Sequence, residues 1–198
     1  VGDRSPDVVW HKGAFDRDER WEKLGASGGT LWFTGFSGSG KSTIAVEVER
    51  ALLNRGQSAY LLDGDNLRHG LNGDLGFSDE DRTENIRRTA HVARLMADSG
   101  TVAIVSLVSP FAADRDHARA MHAEAGLPFA EIWVSTPIEV CEKRDTKGFY
   151  AKARAGEMKG LTGIDAPYEA PTNPELEVDH KVSVAEAVKR SLALLPAV

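Results

Sequence analysis

The segment Gly35-Phe-Ser-Gly-Ser-Gly-Lys-Ser42 constrains this chain more than any other. It satisfies G-x-x-x-x-G-K-[ST] and lies between an apolar run, Thr30–Thr34, and a helical pattern from Ser42 to about Asn54. A strand that turns sharply through glycines into a helix aims successive backbone N–H groups inward, where they can surround phosphate oxygens. Gly38, Ser39 and Gly40 are the expected cradle. Lys41 supplies a point charge for the β and γ phosphates, and the Ser42 hydroxyl can ligate Mg²⁺. The positive end of the helix dipole faces the same oxygens. The motif therefore implies a nucleotide site for ATP with Mg²⁺. An N-K-x-D guanine-reading motif is absent from the sequence.

The rest of the chain alternates strand-like and helix-like runs. Strands are expected at Ser58–Asp63, Thr101–Val108, Phe129–Val134 and, weakly, Leu176–Asp179. Thr101–Val108 is apolar enough to be a central strand buried on both faces. Helices are expected near Asp16–Leu24, over Asp79–Ser99 with Ser78 as N-cap and Gly100 beyond its end, at Ala112–Ala125, and from Ser183 to about Leu195. Thr136-Pro-Ile-Glu139 has a capping-box pattern with Pro at the first helical position. Such alternation implies an α/β fold, here the three-layer P-loop nucleoside-triphosphate architecture. Its mostly parallel central sheet carries helices on both faces, and ligands lie beyond the carboxyl ends of the strands. Residues 1–29 read as an N-terminal arm with Trp10 and Trp21 as apolar anchors, and 30–198 as one kinase domain.

Composition removes several classes. A net charge of −6 argues against nucleic-acid binding, and a single cysteine, Cys141, excludes an internal disulfide and a Cys-based zinc site. No apolar run reaches the ~20 residues of a membrane span, and the first residues lack a secretory pattern, so a cytoplasmic location is expected. The chain starts at Val1 rather than Met, which is compatible with trimming or with a longer polypeptide.

Polar clusters suggest the acceptor side. Asp63-Gly-Asp65-Asn66 ends the second strand. Its carboxylates can accept the proton of an attacking hydroxyl or hold the metal's water shell, or Asp63 can simply close an Asx-turn. Arg68 and Arg82 suit bidentate recognition of phosphate or sulfate oxygens, or belong to a solvated charged face. Arg87 and Arg88 fit the solvated reading better. Lys147–Gly160 carries four basic residues and three glycines. It reads as a lid over two anionic substrates, at about 147–162, or as an exposed amphipathic helix.

These segments resemble the adenylylsulfate kinase family. The resemblance rests on Gly35–Thr43, Leu62-Asp-Gly-Asp-Asn-Leu-Arg68, Leu75-Gly-Phe-Ser78, Asp81-Arg-Thr-Glu-Asn85, Ser109-Pro-Phe111, Arg144-Asp-Thr-Lys-Gly148, Lys152-Ala-Arg-Ala-Gly156 and Lys159-Gly-Leu-Thr-Gly-Ile-Asp165, in family order. It implies transfer of the ATP γ-phosphate to the 3′-hydroxyl of adenosine 5′-phosphosulfate. It assigns acceptor binding to Asp65, Asn66, Arg68, Phe77, Arg82, Asn85, Lys147 and Leu161, with the Phe77 ring facing the acceptor adenine. Thr43 and Arg144 join Lys41 and Ser42 on the ATP side. Asp63 is expected as catalytic base and metal holder, with Asp65 in reserve. Ser109 matches a serine that is phosphorylated in some members, and its alternative is a plain Ser-Pro turn. Phe36 stands where Leu is frequent. Leu161 stands where Phe is common, which bears on acceptor affinity. The family likeness also implies a homodimer, with the arm packing across it, and a possible fusion or complex with a sulfate adenylyltransferase. Other readings are a kinase of another small acceptor, such as a nucleoside, shikimate or gluconate, and a regulatory module without turnover.

Overall fold

A computed structural model describes residues 9, 11 and 13–196. Five parallel strands form one sheet: β1 (Gly29–Thr34), β2 (Ala59–Asp63), β3 (Val102–Ser106), β4 (Phe129–Val134) and β5 (Leu176–Val178), in the order β2-β3-β1-β4-β5. Alternation along β1 divides the core. Leu31 and Phe33 point to one face, where α2 (Lys41–Asn54) and α8 (Val184–Leu192) bury Ile44, Val48, Leu52 and Ala187. Trp32 points to the other, against Ile86, Ala90 and Ala93 of α4 (Asp79–Ser99) and Ala118 of α5 (Ala112–Glu124). Both faces of β1 and β3 are covered, which is why these strands read as unbroken apolar runs.

Local signals fixed several boundaries. Helix α4 starts where Ser78 accepts the Asp81 N–H and stops at Gly100 in the left-handed region. Ser183 caps α8 through the Glu186 N–H, and this helix ends at Leu192 rather than near Leu195. The capping box expected at Thr136 is not formed. Pro137 is the N-cap of α6 (Ile138–Arg144) without a side-chain cap, and the Thr136 hydroxyl instead donates to Ser39 O at 2.8 Å. The hydroxyl proton thus goes to a buried tertiary acceptor, and the N–H groups of the first turn of α6 receive no cap from Thr136.

The capping box at Asp16 and Glu19 does form, opening α1 (Arg17–Leu24). This part of the arm docks on its own domain. Arg17 and Arg20 pair with the Asp98 carboxylate, and the Trp21 indole N–H donates to Asp98 O at 3.1 Å. Trp10 lies outside the described residues. Two short helices, α3 (Gly64–Leu67) and α7 (Phe149–Arg154), complete the fold; α3 was not foreseen from the sequence.

Candidate active site

The loop between β1 and α2 is shaped by its own backbone. Gly35, Gly38 and Gly40 have φ of 146°, 74° and 107°, in the region that side chains disfavour. At Gly35 a Cβ would also lie 2.6 Å from Val134 O, so no larger residue fits there. Ser39 is buried, and its carbonyl accepts from Thr136 Oγ1 and, at 3.1 Å, from the exposed Arg144. Lys41 is 7% exposed, and its ammonium donates to Gly35 O at 2.8 Å and Phe36 O at 2.7 Å. Burial pulls its pKa down to about 8, partly opposed by the Asp63 carboxylate. Ser42 and Thr43 are exposed on the first turn of α2.

Two strand ends meet at Ser42 of this loop. Asp63, at the end of β2, accepts the Ser42 hydroxyl at 2.8 Å through one oxygen and the Asp65 N–H at 3.0 Å through the other. The Ser42 hydroxyl also lies 3.2 Å from that of Ser106, at the end of β3. The Asx-type turn and the contact with the phosphate loop are therefore both real, made by opposite sides of one carboxylate.

Beyond Asp63 the residues expected to bind the acceptor gather around Phe77 and the lid. Asp65 and Asn66 are exposed, and Asp65 forms an ion pair with Lys147. Arg68 donates to Leu75 O and Gly76 O, both at 2.9 Å, and its guanidinium lies 4.2 Å from the Phe77 ring centroid. The Phe77 side chain is otherwise open to solvent at 61% exposure. Arg82 bridges the two sides, donating to Phe77 O at 3.0 Å, Thr162 Oγ1 at 3.0 Å and Gly160 O. Asn85 is buried one turn along α4. Arg87 and Arg88 take the charged-face alternative, since Arg87 chelates Glu84 while Arg88 donates once to Glu84 and chelates Asp74.

The lid is an α-helical turn with its own small core. Tyr150, Cys141 and Leu161 are buried together with Phe36, Ile138 and Phe149 around them. The Leu161 side chain thus packs in the lid interior. Tyr150 had drawn no attention, yet its hydroxyl donates to Ser37 O at 2.8 Å and ties the lid to the phosphate loop. Only its aromatic character in a basic segment could have marked it. Tyr168 was also missed. Its hydroxyl lies 3.0 Å from Thr34 Oγ1, and its ring packs on Phe36.

Ser109, the serine before Pro110, is enclosed in the loop after β3. It is 2% exposed, its Oγ accepts the Trp32 indole N–H at 3.2 Å, and its carbonyl accepts from Arg115 at 2.7 Å. Its backbone φ is positive as well, at 40°. A hydroxyl enclosed in this way supports the loop after β3.

Comparison with known proteins decides the family. A model of the adenylylsulphate kinase family matches residues 27–179. The chain belongs to that family. It is 55% identical over 194 residues to the adenylyl-sulfate kinase of Emericella nidulans, covering 94% of each. It is 52% identical over 191 residues to the bifunctional enzyme CysN/CysC of Mycobacterium tuberculosis, covering 96% of this chain and 30% of that protein. The solved structure of the Mycobacterium tuberculosis APS kinase CysC, in complex with AMPPNP and APS, matches with a TM-score of 0.83 at 55% identity, covering 85% of this chain and 98% of that one. As an adenylylsulphate kinase family member, the chain has the α/β P-loop fold expected from its sequence.

Proposed function

We propose that this enzyme transfers the γ-phosphate of ATP to the 3′-hydroxyl of adenosine 5′-phosphosulfate, giving 3′-phosphoadenosine 5′-phosphosulfate and ADP. The observation that carries this reading is the 2.8 Å contact between Ser42 of the phosphate cradle and Asp63 of the acceptor side. It sets the donor's phosphates and a proton acceptor at one point.

Phosphoryl transfer asks a protein mainly for alignment and charge compensation. Gly38, Ser39 and Gly40 hold the phosphates through backbone N–H groups, Lys41 turns its ammonium from the loop carbonyls to the β and γ oxygens, Thr43 stands beside them, and Arg144 lies near the ATP base. Asp63 orients the 3′-hydroxyl and takes its proton. Asp65 is the weaker candidate because it is exposed and engaged with Lys147. Arg68, Arg82, Phe77, Asn66, Asn85 and Lys147 hold the acceptor nucleotide. The Leu161 backbone, fixed by the Asp165 carboxylate, shapes the lid's inner edge.

The donor set at this point suits a hard cation that keeps most of its waters. Ser42 and Asp63 offer two oxygens, and no group of three or more His, Cys, Asp or Glu among the described residues forms a protein cage. Ser42 and Asp63 are the residues to hold Mg²⁺, which when bound neutralises charge on the transferring phosphate. We further infer a cytoplasmic homodimer that works alone or joined to a sulfate-activating partner. No helix among the described residues is long and apolar enough to cross a membrane.

The test is Asp63→Asn with radiolabelled ATP. Turnover with adenylyl sulfate should fall about 100-fold or more, the usual size of general-base catalysis, while the KM for ATP changes little. Normal turnover would remove Asp63 as base. Faster transfer by the native enzyme to gluconate, shikimate or a nucleoside than to adenylyl sulfate would overturn the acceptor.

A further inference from the structure

The turn Gly70–Asp74, between the motifs used above, carries a fully buried polar side chain. Asn72 is 0% exposed, and its Nδ2 donates to Asn85 Oδ1 at 2.9 Å. The turn is held firmly in place. Asn72 N–H donates to Leu67 O at 2.9 Å, Arg88 donates to Leu71 O at 3.0 Å while chelating Asp74, and Arg68 donates to Leu75 O. The carbonyl end of the Asn72 amide is buried and has no partner among the described residues.

An unpartnered buried carbonyl is a cost that demands a reason. The opposite orientation of both amides would bury the Asn72 N–H donors without an acceptor. That arrangement is worse, since orphaned donors are rarer in proteins than under-satisfied carbonyls. The pair is thus fixed in one sense. Asn85 is 6% exposed, its Oδ1 is consumed, and its Nδ2 makes no hydrogen bond to the described residues and is not among their buried unpaired atoms. The NH₂ end is therefore the free end of Asn85. It lies one turn from Arg82, which holds Phe77 O, Gly160 O and Thr162.

We propose that Asn72 is a positioning residue that locks the Asn85 amide so that it offers only N–H donors to the acceptor nucleotide, selecting a hydrogen-bond acceptor atom there. The proposal rests on the reading of Asn85 as an acceptor-binding residue. Without Asn72 the amide turns freely, and half of its orientations present a carbonyl to the same atom.

Steady-state kinetics on Asn72→Leu, Asn72→Ala, Asn85→Ala and the Asn72→Leu/Asn85→Ala double variant test it, with melting temperature recorded for each. Asn72→Leu keeps the side-chain volume and removes the orphaned oxygen, so its melting temperature should stay close to native. The KM for adenylyl sulfate should rise about 5- to 20-fold, the scale of one hydrogen bond, with the KM for ATP within about twofold. The double variant should be no worse than Asn85→Ala alone, because the two residues act as one unit. If Asn85→Ala raises the acceptor KM and neither Asn72 variant does, Asn72 has no positioning role and the Asn85 reading stands. If Asn85→Ala leaves the acceptor KM unchanged, the Asn85 reading itself falls, and this proposal with it. A parallel rise in both KM values with a lowered melting temperature would mark Asn72 as purely structural and overturn the proposal.

Discussion

The phosphate loop and the lid face each other across the site but are built by opposite means. The loop is held by backbone: glycines at positive φ, carbonyls gripped by Thr136 and Arg144, and an ammonium bonded to two of its own carbonyls. The lid is held by side chains at a few points: Tyr150 on Ser37 O, Arg82 on Gly160 and Thr162, and Lys147 on Asp65. Backbone-built sites are preorganised and tolerate no change in shape. Side-chain latches can open and reclose, as an enclosure around two substrates must.

The largest effect should come from the rigid side. Gly35→Ala places a Cβ 2.6 Å from Val134 O at a φ of 146°. The loop must shift to admit it. ATP affinity by calorimetry should fall about 100-fold or more, as a misplaced positioning element does, with acceptor-side residues untouched. Near-native ATP affinity in that variant would show that the loop adapts, and the contrast with the lid would collapse.

Next is the Lys41 charge. Its pKa in the free protein is pulled down to about 8 by burial, whereas bound phosphate favours the protonated form and raises it. Below about 8 the ammonium is present and ATP affinity should be flat. As pH climbs through that value, binding must also take up a proton, and affinity should weaken toward tenfold per unit. Calorimetry from pH 6.5 to 9.5 reads this directly. A flat profile to 9.5 would mean that Lys41 is not the phosphate contact.

The same contrast explains what was readable from the sequence. The loop is contiguous, so spacing alone announced it, and Ser78 and Gly100 marked helix ends because caps act within four residues. Elsewhere the partner was distant. Thr136 had the right neighbours for a capping box and was taken by Ser39. Ser109 reads locally as a Ser-Pro turn or a marker of the site, but its hydroxyl is taken by Trp32, 77 positions away. The Asn72–Asn85 pair and the Tyr150 latch join residues 13 and 113 positions from their partners, a separation that no local pattern encodes.

The smallest effect belongs to the lid's outermost latch. Lys147 and Asp65 keep 46% and 67% of their side-chain surface exposed, so water and salt screen the pair heavily. Exposed pairs of this kind contribute about 0–1 kcal/mol, and Lys147→Ala should leave the melting temperature within a degree or two. The loss should instead appear where the latch acts. The KM for adenylyl sulfate should rise about 2- to 5-fold at low salt, while the KM for ATP, whose phosphates are gripped by the loop, stays put. Added salt should shrink that gap, because it weakens in the native enzyme the same attraction that the variant lacks. An equal rise for ATP would mean that Lys147 supports the loop rather than the lid, and the two regions would not be as independent as their construction implies.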